Sequence, residues 1–323
     1  MSHHLVNLRF LLCVLCLMLG SCLTAGAEKR DLPASVKLWL SSPGIRHATV
    51  AFEVVRLPQK QSRTDSTPSQ PAIAQAQVIY SYDADRLMTP ASVLKLITAA
   101  TALRTLGADY VWPDSVPLVD TTQVQLAGLE HYNPDWLIED VITEYVEPLT
   151  NALPDSGRVL TDVLHETLVR SLNLQAETAL HLLTPSCRLD SALLCVSRYW
   201  QERGLDTDES LVMYDGCGLS PSDCITPHFV NAVLADMQFD SAFRSLLPVV
   251  GQEGTVRRFL RNTRLAGRAR FKSGSLKSVV SYAGYATGSD GRTYAVSIFV
   301  NHDTSSHAET RRGLEQVLLA LIP

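Results

Sequence analysis

Long apolar runs broken by short polar punctuation run along the chain, and they fall into three zones. Near the start, Ala48–Val55 and Gln77–Tyr82 have strand character. They flank residues 58–72, a polar stretch rich in Gln, Ser, Thr and Pro that reads as a loop. A short helix at Pro33–Leu40 precedes them. The middle is helical in period. Past Lys95 the run Leu96–Leu103 is nearly apolar all round, which predicts a buried helix that ends near Gly107 as its C-cap. Thr89 is its expected cap and Pro90 its first-turn residue. Further helices are expected over Asp135–Ile142, Thr161–Arg170, Ala176–Leu183 and Arg188–Arg203, and another opens at Thr226-Pro227. A short strand is expected at Gln123–Leu126. The last zone turns back to strands: Ala269–Leu276, Val279–Thr287 and Thr293–Asn301, then a closing helix from His307 to Ile322. Ser289-Asp290-Gly291-Arg292 is a turn between two of these strands. Strands at both chain ends joined by tight turns predict an α/β chain of the α+β type. One antiparallel sheet is built from both ends, with helices on both faces and a helical subdomain at about 108–240.

The first residues change the picture of where the chain works. Arg9 precedes the apolar run Phe10–Gly20, which is too short to span a bilayer comfortably. Ala25-Gly26-Ala27 follows, so residues 1–27 read as an export signal cut before Glu28, leaving 28–323 as a single domain. Leu19-Gly20-Ser21-Cys22 also resembles a lipoprotein box, and a membrane partner is expected only if Cys22 is lipidated. A periplasmic location follows from the export reading. Outside the signal, Cys187, Cys195, Cys217 and Cys224 form an even set for an oxidising compartment. Three pairings exist, and the local pairs Cys187–Cys195 and Cys217–Cys224 are favoured because each closes a short loop. Their spacing does not suit zinc. A net charge of −5 gives no reason to expect nucleic acid, and the run Arg257, Arg258, Arg261, Arg264, Arg268, Arg270, Lys272 reads as a solvated face or an attractor of anionic substrate.

Three polar clusters carry candidate chemistry. Ser92 and Lys95 are three apart and share a helix face at the tip of an apolar helix, a costly place for a lysine unless it serves a nucleophile. Ser171-Leu172-Asn173 lies between two helices, and Lys272-Ser273-Gly274 on a strand. Alone, Ser171-x-Asn173 reads equally as a helix cap and Lys272-Ser273-Gly274 as a strand end. In this order they resemble the S-x-x-K, S-x-N and K-T-G set of penicillin-recognising serine enzymes. The flanks Thr89–Thr98, Ala176-Glu177, Asp215–Ser220, Thr226-Pro227 and Gly254-Thr255-Val256 sharpen the match. With them the chain resembles the D-alanyl-D-alanine carboxypeptidase/endopeptidase family of penicillin-binding protein 4 type over roughly residues 45–320. Ser273 replaces the usual Thr but keeps its hydroxyl. Ser92 and Ser171 are only 79 apart (171 − 92), which resembles a reduced member without the family's large insertion.

The residue types fit acyl transfer. Ser92 is the candidate nucleophile and Lys95 its base, once burial and a neighbouring charge such as Lys272 lower the lysine's proton affinity. Ser171 relays a proton to the leaving group, and Asn173 holds a substrate amide through donor and acceptor. Lys272 and Ser273 suit a terminal carboxylate. Gly274 and Ser275 complete the substrate-binding stretch. By resemblance, the N–H groups of Ser92 and Ser275 form the oxyanion hole. The resemblance implies a β-lactamase/transpeptidase-like fold, peptidoglycan peptides as substrate, β-lactams as inhibitors, and no metal or cofactor. A β-lactamase or esterase on the same scaffold is the alternative, although no extra carboxylate motif for fast deacylation is evident. A non-catalytic cell-wall binding protein is the third reading. Asp215 is expected to order its Gly-rich turn rather than to act in catalysis. His131, His181, His228 and His302 show no ligand spacing.

Overall fold

Two neighbouring strands, Val279–Thr287 and Thr293–Asn301, are buried along almost their whole length. A strand buried on both faces needs apolar residues on both, which is why these segments read as continuous runs rather than alternation. They lie inside a five-stranded antiparallel sheet in the computed structural model of the chain, which describes residues 30–59, 75–114 and 155–323. The strands are β1 (Thr49–Arg56), β2 (Gln77–Tyr82), β5 (Ala269–Leu276), β6 (Val279–Thr287) and β7 (Thr293–Asn301), in spatial order β2-β1-β7-β6-β5. Both chain ends therefore meet at the β1–β7 pairing, where Thr49 opposes Asn301 and Arg56 opposes Tyr294. Two residues each, Leu211–Val212 (β3) and Cys224–Ile225 (β4), form a small separate ribbon that the sequence pattern did not reveal.

The helices are α1 (Ala34–Leu40), α2 (Lys95–Leu106), α3 (Leu160–Arg170), α4 (Asn173–His181), α5 (Leu189–Gln201), α6 (Pro227–Met237), α7 (Ser241–Leu246) and α8 (His307–Leu321). They divide between the sheet's two faces. On one face Ala295 and Phe299 of β7 pack with Leu96 and Ile97 of α2 and Val230, Val233 and Leu234 of α6, and α3 to α5 extend this core outward. On the other, Val296, Ile298 and Val300 pack with Val36 of α1 and with Leu314, Val317, Leu318 and Leu321 of α8. Those four α8 positions follow the 3-4-7 spacing of one helical stripe. Ser306 caps α8 in a reciprocal box with Glu309.

Several expectations hold and some do not. The Thr226-Pro227 signal is an N-cap, with the Thr226 hydroxyl accepting from Phe229 N at 3.1 Å. Helix α2 ends at Gly107, where φ is 92°. Thr89, by contrast, does not cap the Ser92 helix. That segment begins as a 3-10 turn at Ala91–Leu94 without any side-chain cap, and Thr89 is held instead by Asn301. The favoured disulfides are also corrected: none of Cys187, Cys195, Cys217 and Cys224 is in a disulfide. Cys187 lies between α4 and α5, Cys195 inside α5, Cys217 in the Gly-rich turn and Cys224 on β4. The strand expected at 123–126, the helix at 135–142, the signal region and His131 lie outside the described residues. Among the described residues no helix is long and apolar enough to cross a membrane.

Candidate active site

Ser92 occupies the 3-10 turn Ala91–Leu94, and Lys95 is the first residue of α2. The turn is backed by two close approaches. A Cβ on Gly274 of β5 would collide with Ser281 Oγ and Pro90 O, and one on Gly218 would collide with the Ala91 carbonyl. Only glycine lets the strand and the Gly-rich loop 215–220 press against the peptide that carries Ser92. Gly218 also has φ of 80°, which suits glycine alone at low cost. Ala91 itself is at φ 48°, an uncommon region for a residue with a side chain. Strain of roughly 1–3 kcal/mol at such a position survives only where the surroundings over-determine it. Here Asn301 takes the Thr89 N–H at 2.8 Å and donates to the Thr89 carbonyl at 3.1 Å, while Ser281 Oγ donates to Pro90 O at 2.6 Å.

Lys95 is 1% exposed, and its Nζ is held by three oxygens: Ser92 Oγ at 3.0 Å, Asn173 Oδ1 at 2.6 Å and the Cys217 carbonyl at 2.7 Å. An unpaired ammonium at that depth would cost several kcal/mol, and three acceptors offset the cost. Lys272 is fully buried on β5 and donates to Ser171 Oγ at 2.8 Å and to Ser273 O at 2.7 Å. Burial pushes its proton affinity well below the ordinary lysine range, and the charge of Lys95 pushes the same way. The tripeptide 171–173 thus links two buried lysines. Ser171 ends α3 in the left-handed region, with φ of 64°, and Asn173 opens α4, so neighbouring side chains turn to different lysines.

Ser273 Oγ donates to Thr255 Oγ1 at 2.7 Å, which adds the hydroxyl of the 3-10 turn Gly254–Val256 to the Lys272 side of the site. Thr255 stood among the flanking residues in the sequence but carried no role there. Exposed Ser275 contacts exposed His307 Nδ1 at 3.1 Å. Asp215 is buried and takes three backbone N–H groups, from Cys217 at 2.9 Å, Gly218 at 2.5 Å and Ser220 at 2.7 Å. This is the turn-ordering role expected of it. The basic run is divided: Arg257, Arg258 and Arg261 are exposed, whereas Arg264 grips the carbonyls of Leu319, Ile322 and Pro323, Arg268 that of Gly288, and Arg270 that of Leu247. His181 bonds the Cys187 carbonyl and His228 bonds Glu53, so both are taken up in packing.

A serine hydroxyl against one buried lysine, with a second lysine behind a Ser-x-Asn link, on an antiparallel sheet covered by helices on both faces, defines the penicillin-recognising serine enzymes. The chain belongs to the D-Ala-D-Ala carboxypeptidase 3 (S13) family, whose profile matches residues 69–128 and 156–321, more than half of its length. It is a serine-type D-alanyl-D-alanine carboxypeptidase. Solved structures agree on the fold. Penicillin binding protein 4 (dacB) from Haemophilus influenzae superposes with a TM-score of 0.60 at 15% identity, over 87% of this chain and 97% of that one. A structure of the same protein complexed with a novel β-lactam gives 0.60 at 16% identity, over 88% and 98%. A class A β-lactamase from Bacteroides cellulosilyticus gives 0.56 at 15%, over 91% and 98%. No curated protein matches the chain.

Proposed function

We propose that the chain hydrolyses D-alanine-containing peptidoglycan peptides through an acyl-enzyme on Ser92 and is acylated by β-lactams at the same atom. The observation that carries this reading is the 3.0 Å contact of Lys95 Nζ with Ser92 Oγ, with Lys272 Nζ 2.8 Å from Ser171 Oγ. Neutral Lys95 takes the Ser92 proton as Oγ bonds the substrate carbonyl carbon. The N–H groups of Ser92 and Ser275 receive the oxyanion, since β5 runs against the Ser92 turn at Gly274. Ser171 passes a proton to the leaving amine as the C–N bond breaks. Lys272, Ser273 and Thr255 hold the terminal carboxylate, and Asn173 the substrate amide. Water then cleaves the ester and restores Ser92. The β-lactam bound to the Haemophilus penicillin binding protein 4 supports inhibition by this class. The apolar run and A-x-A site in residues 1–27 support export to the periplasm, where the substrate lies.

Two experiments test this. Incubation with pentapeptide-bearing peptidoglycan fragments releases free D-alanine, read by mass spectrometry, and release of none would refute the substrate assignment. A chromogenic β-lactam gives one stoichiometric burst; steady turnover would instead favour the β-lactamase reading.

Lys272 sets a pH dependence. Its folded proton affinity is lowered, so it loses its proton at a pH below the ordinary lysine range as pH rises. The neutral amine no longer attracts a carboxylate. KM for a peptide with a free C-terminus therefore rises with pH from below about 10.5, the usual lysine value, while an amidated peptide binds weakly throughout. A flat KM up to that value would remove Lys272 from the carboxylate site.

A further inference from the structure

Lys95 owes its geometry to more than its own helix. Two of the three oxygens on its Nζ are placed by α4. Asn173, the first residue of α4, reaches Nζ directly at 2.6 Å. Four residues on, and so on the same helix face, Glu177 lies 3% exposed and accepts the Gly216 N–H on Oε1 at 2.7 Å. The next residue, Cys217, gives its carbonyl to Lys95 Nζ at 2.7 Å. The loop is pressed onto the helix at this point: a Cβ on Gly216 would stand 2.9 Å from Leu180 Cβ and 3.1 Å from Ala176 O. On its other side the Gly216 carbonyl accepts from Thr98 Oγ1 of α2 at 2.7 Å. Residues 216–217 are therefore clamped between α4 and α2, and Glu177 is the side chain that closes the clamp.

We propose that Glu177 is a positioning residue for acyl transfer, acting through the Gly216–Cys217 backbone to hold Lys95 Nζ at Ser92. The proposal rests on the function argued above and adds a residue that touches no substrate. The charged and titratable groups that face Glu177 are Lys95 from α2, Asp215 and Cys217 from the Gly-rich turn, and Asp223 before β4. Asp215 accepts three backbone N–H groups, whereas Glu177 accepts the one backbone N–H of Gly216. Burial, then the charge of Asp215, raises Glu177 to about 8. Its working form at neutral pH is the uncharged acid. As pH rises through that value a carboxylate appears beside Lys95 and favours the lysine's ammonium form, which cannot act as a base. The first-order acylation step then slows. Lys272, by contrast, acts on KM, so the two alkaline effects separate.

The test compares acylation by a fluorescent penicillin, under single turnover and across pH 6–9.5, in the wild-type chain, Glu177→Gln and Glu177→Ala. Glutamine keeps the Oε1 acceptor and cannot ionise. Glu177→Ala is expected to acylate on the order of ten- to a hundredfold more slowly, with little change in half-saturating concentration. Glu177→Gln restores the rate relative to alanine and loses the slowing near pH 8. A folded Glu177→Ala that acylates at the wild-type rate overturns the proposal, as does a Glu177→Gln profile that still slows near pH 8. If Glu177→Ala does not fold, the Glu177→Gln profile decides alone. The ligand atoms of Glu177, Asp215 and Cys217 lie within 4.8 Å of one another. Stoichiometric zinc uptake by wild type and not by Glu177→Gln would overturn the proposal in favour of a metal site. Failure of the wild-type chain to label would defeat the underlying function instead, and is distinguished by being common to all three proteins.

Discussion

Replacing Ser92 by alanine abolishes covalent labelling by a fluorescent penicillin and leaves the chain folded. The two halves of this expectation have separate causes. Ser92 Oγ is the hydroxyl that sits 3.0 Å from Lys95 Nζ. Its removal takes away the atom that would bond the lactam carbonyl. The fold loses little. Ser92 is only partly buried, and Lys95 keeps Asn173 Oδ1 and the Cys217 carbonyl as acceptors. Loss of one such hydrogen bond costs about 1–2 kcal/mol. Intact-protein mass after β-lactam treatment shows one adduct on the wild type and none on Ser92→Ala, with similar melting curves. An adduct on Ser92→Ala would move the nucleophile elsewhere.

The second large effect belongs to Lys95→Met. Methionine approximates the length of the lysine stem, so the core position stays filled. The proposed chemistry loses its base, and acylation is expected to fall by about 10²–10⁴-fold. Asn173 Oδ1 and the Cys217 carbonyl each lose the Lys95 donor at the same time, at about 1–3 kcal/mol for each hydrogen bond to a charged group. Removing a buried ammonium offsets part of that cost. Lys95→Arg does not rescue the rate, because a planar guanidinium is bulkier and keeps its proton throughout. Single-turnover acylation measured beside non-covalent binding separates the outcomes: binding persists while the rate collapses. A Lys95→Met rate within tenfold of wild type would mean that another group accepts the Ser92 proton.

The sequence made some features legible for physical reasons. Strands β6 and β7 stand out because they are covered on both faces, and the turn between them carries its own residues. Lys95 stands out beside Ser92 because a lysine at the tip of an apolar helix is expensive, whereas Ser171, Asn173, Lys272 and Ser273 stand out through the resemblance of the three clusters, in their order, to a known motif set. Other features depend on contacts between distant segments, which periodicity does not encode. Ala91 takes its unusual φ from Asn301 and Ser281, so the local pattern suggested a regular capped helix instead. Asn173 was expected in a loop, yet it opens α4, because Ser171 turns the chain before it. Glu177 stood in the sequence as a flanking residue of the motif set without a role, and the Gly216 N–H it accepts across the fold gives it one. The cysteines paired on paper because their spacing was short, but none of the four is in a disulfide, and short spacing does not encode the side-chain geometry that a disulfide needs.

The Asn301 clamp on Thr89 has a temporal consequence. Asn301 is the last residue of β7 and grips a backbone 212 residues earlier, and Ser281 reaches Pro90 across 191. Contacts of such separation carry the loop-closure entropy that makes a topology slow to form. The strained turn under Ser92 therefore has no support until β7 has docked between β1 and β6. Reactivity at Ser92 is therefore expected to appear in refolding no earlier than the pairing of β7 with β1 and β6, which joins the two ends of the chain.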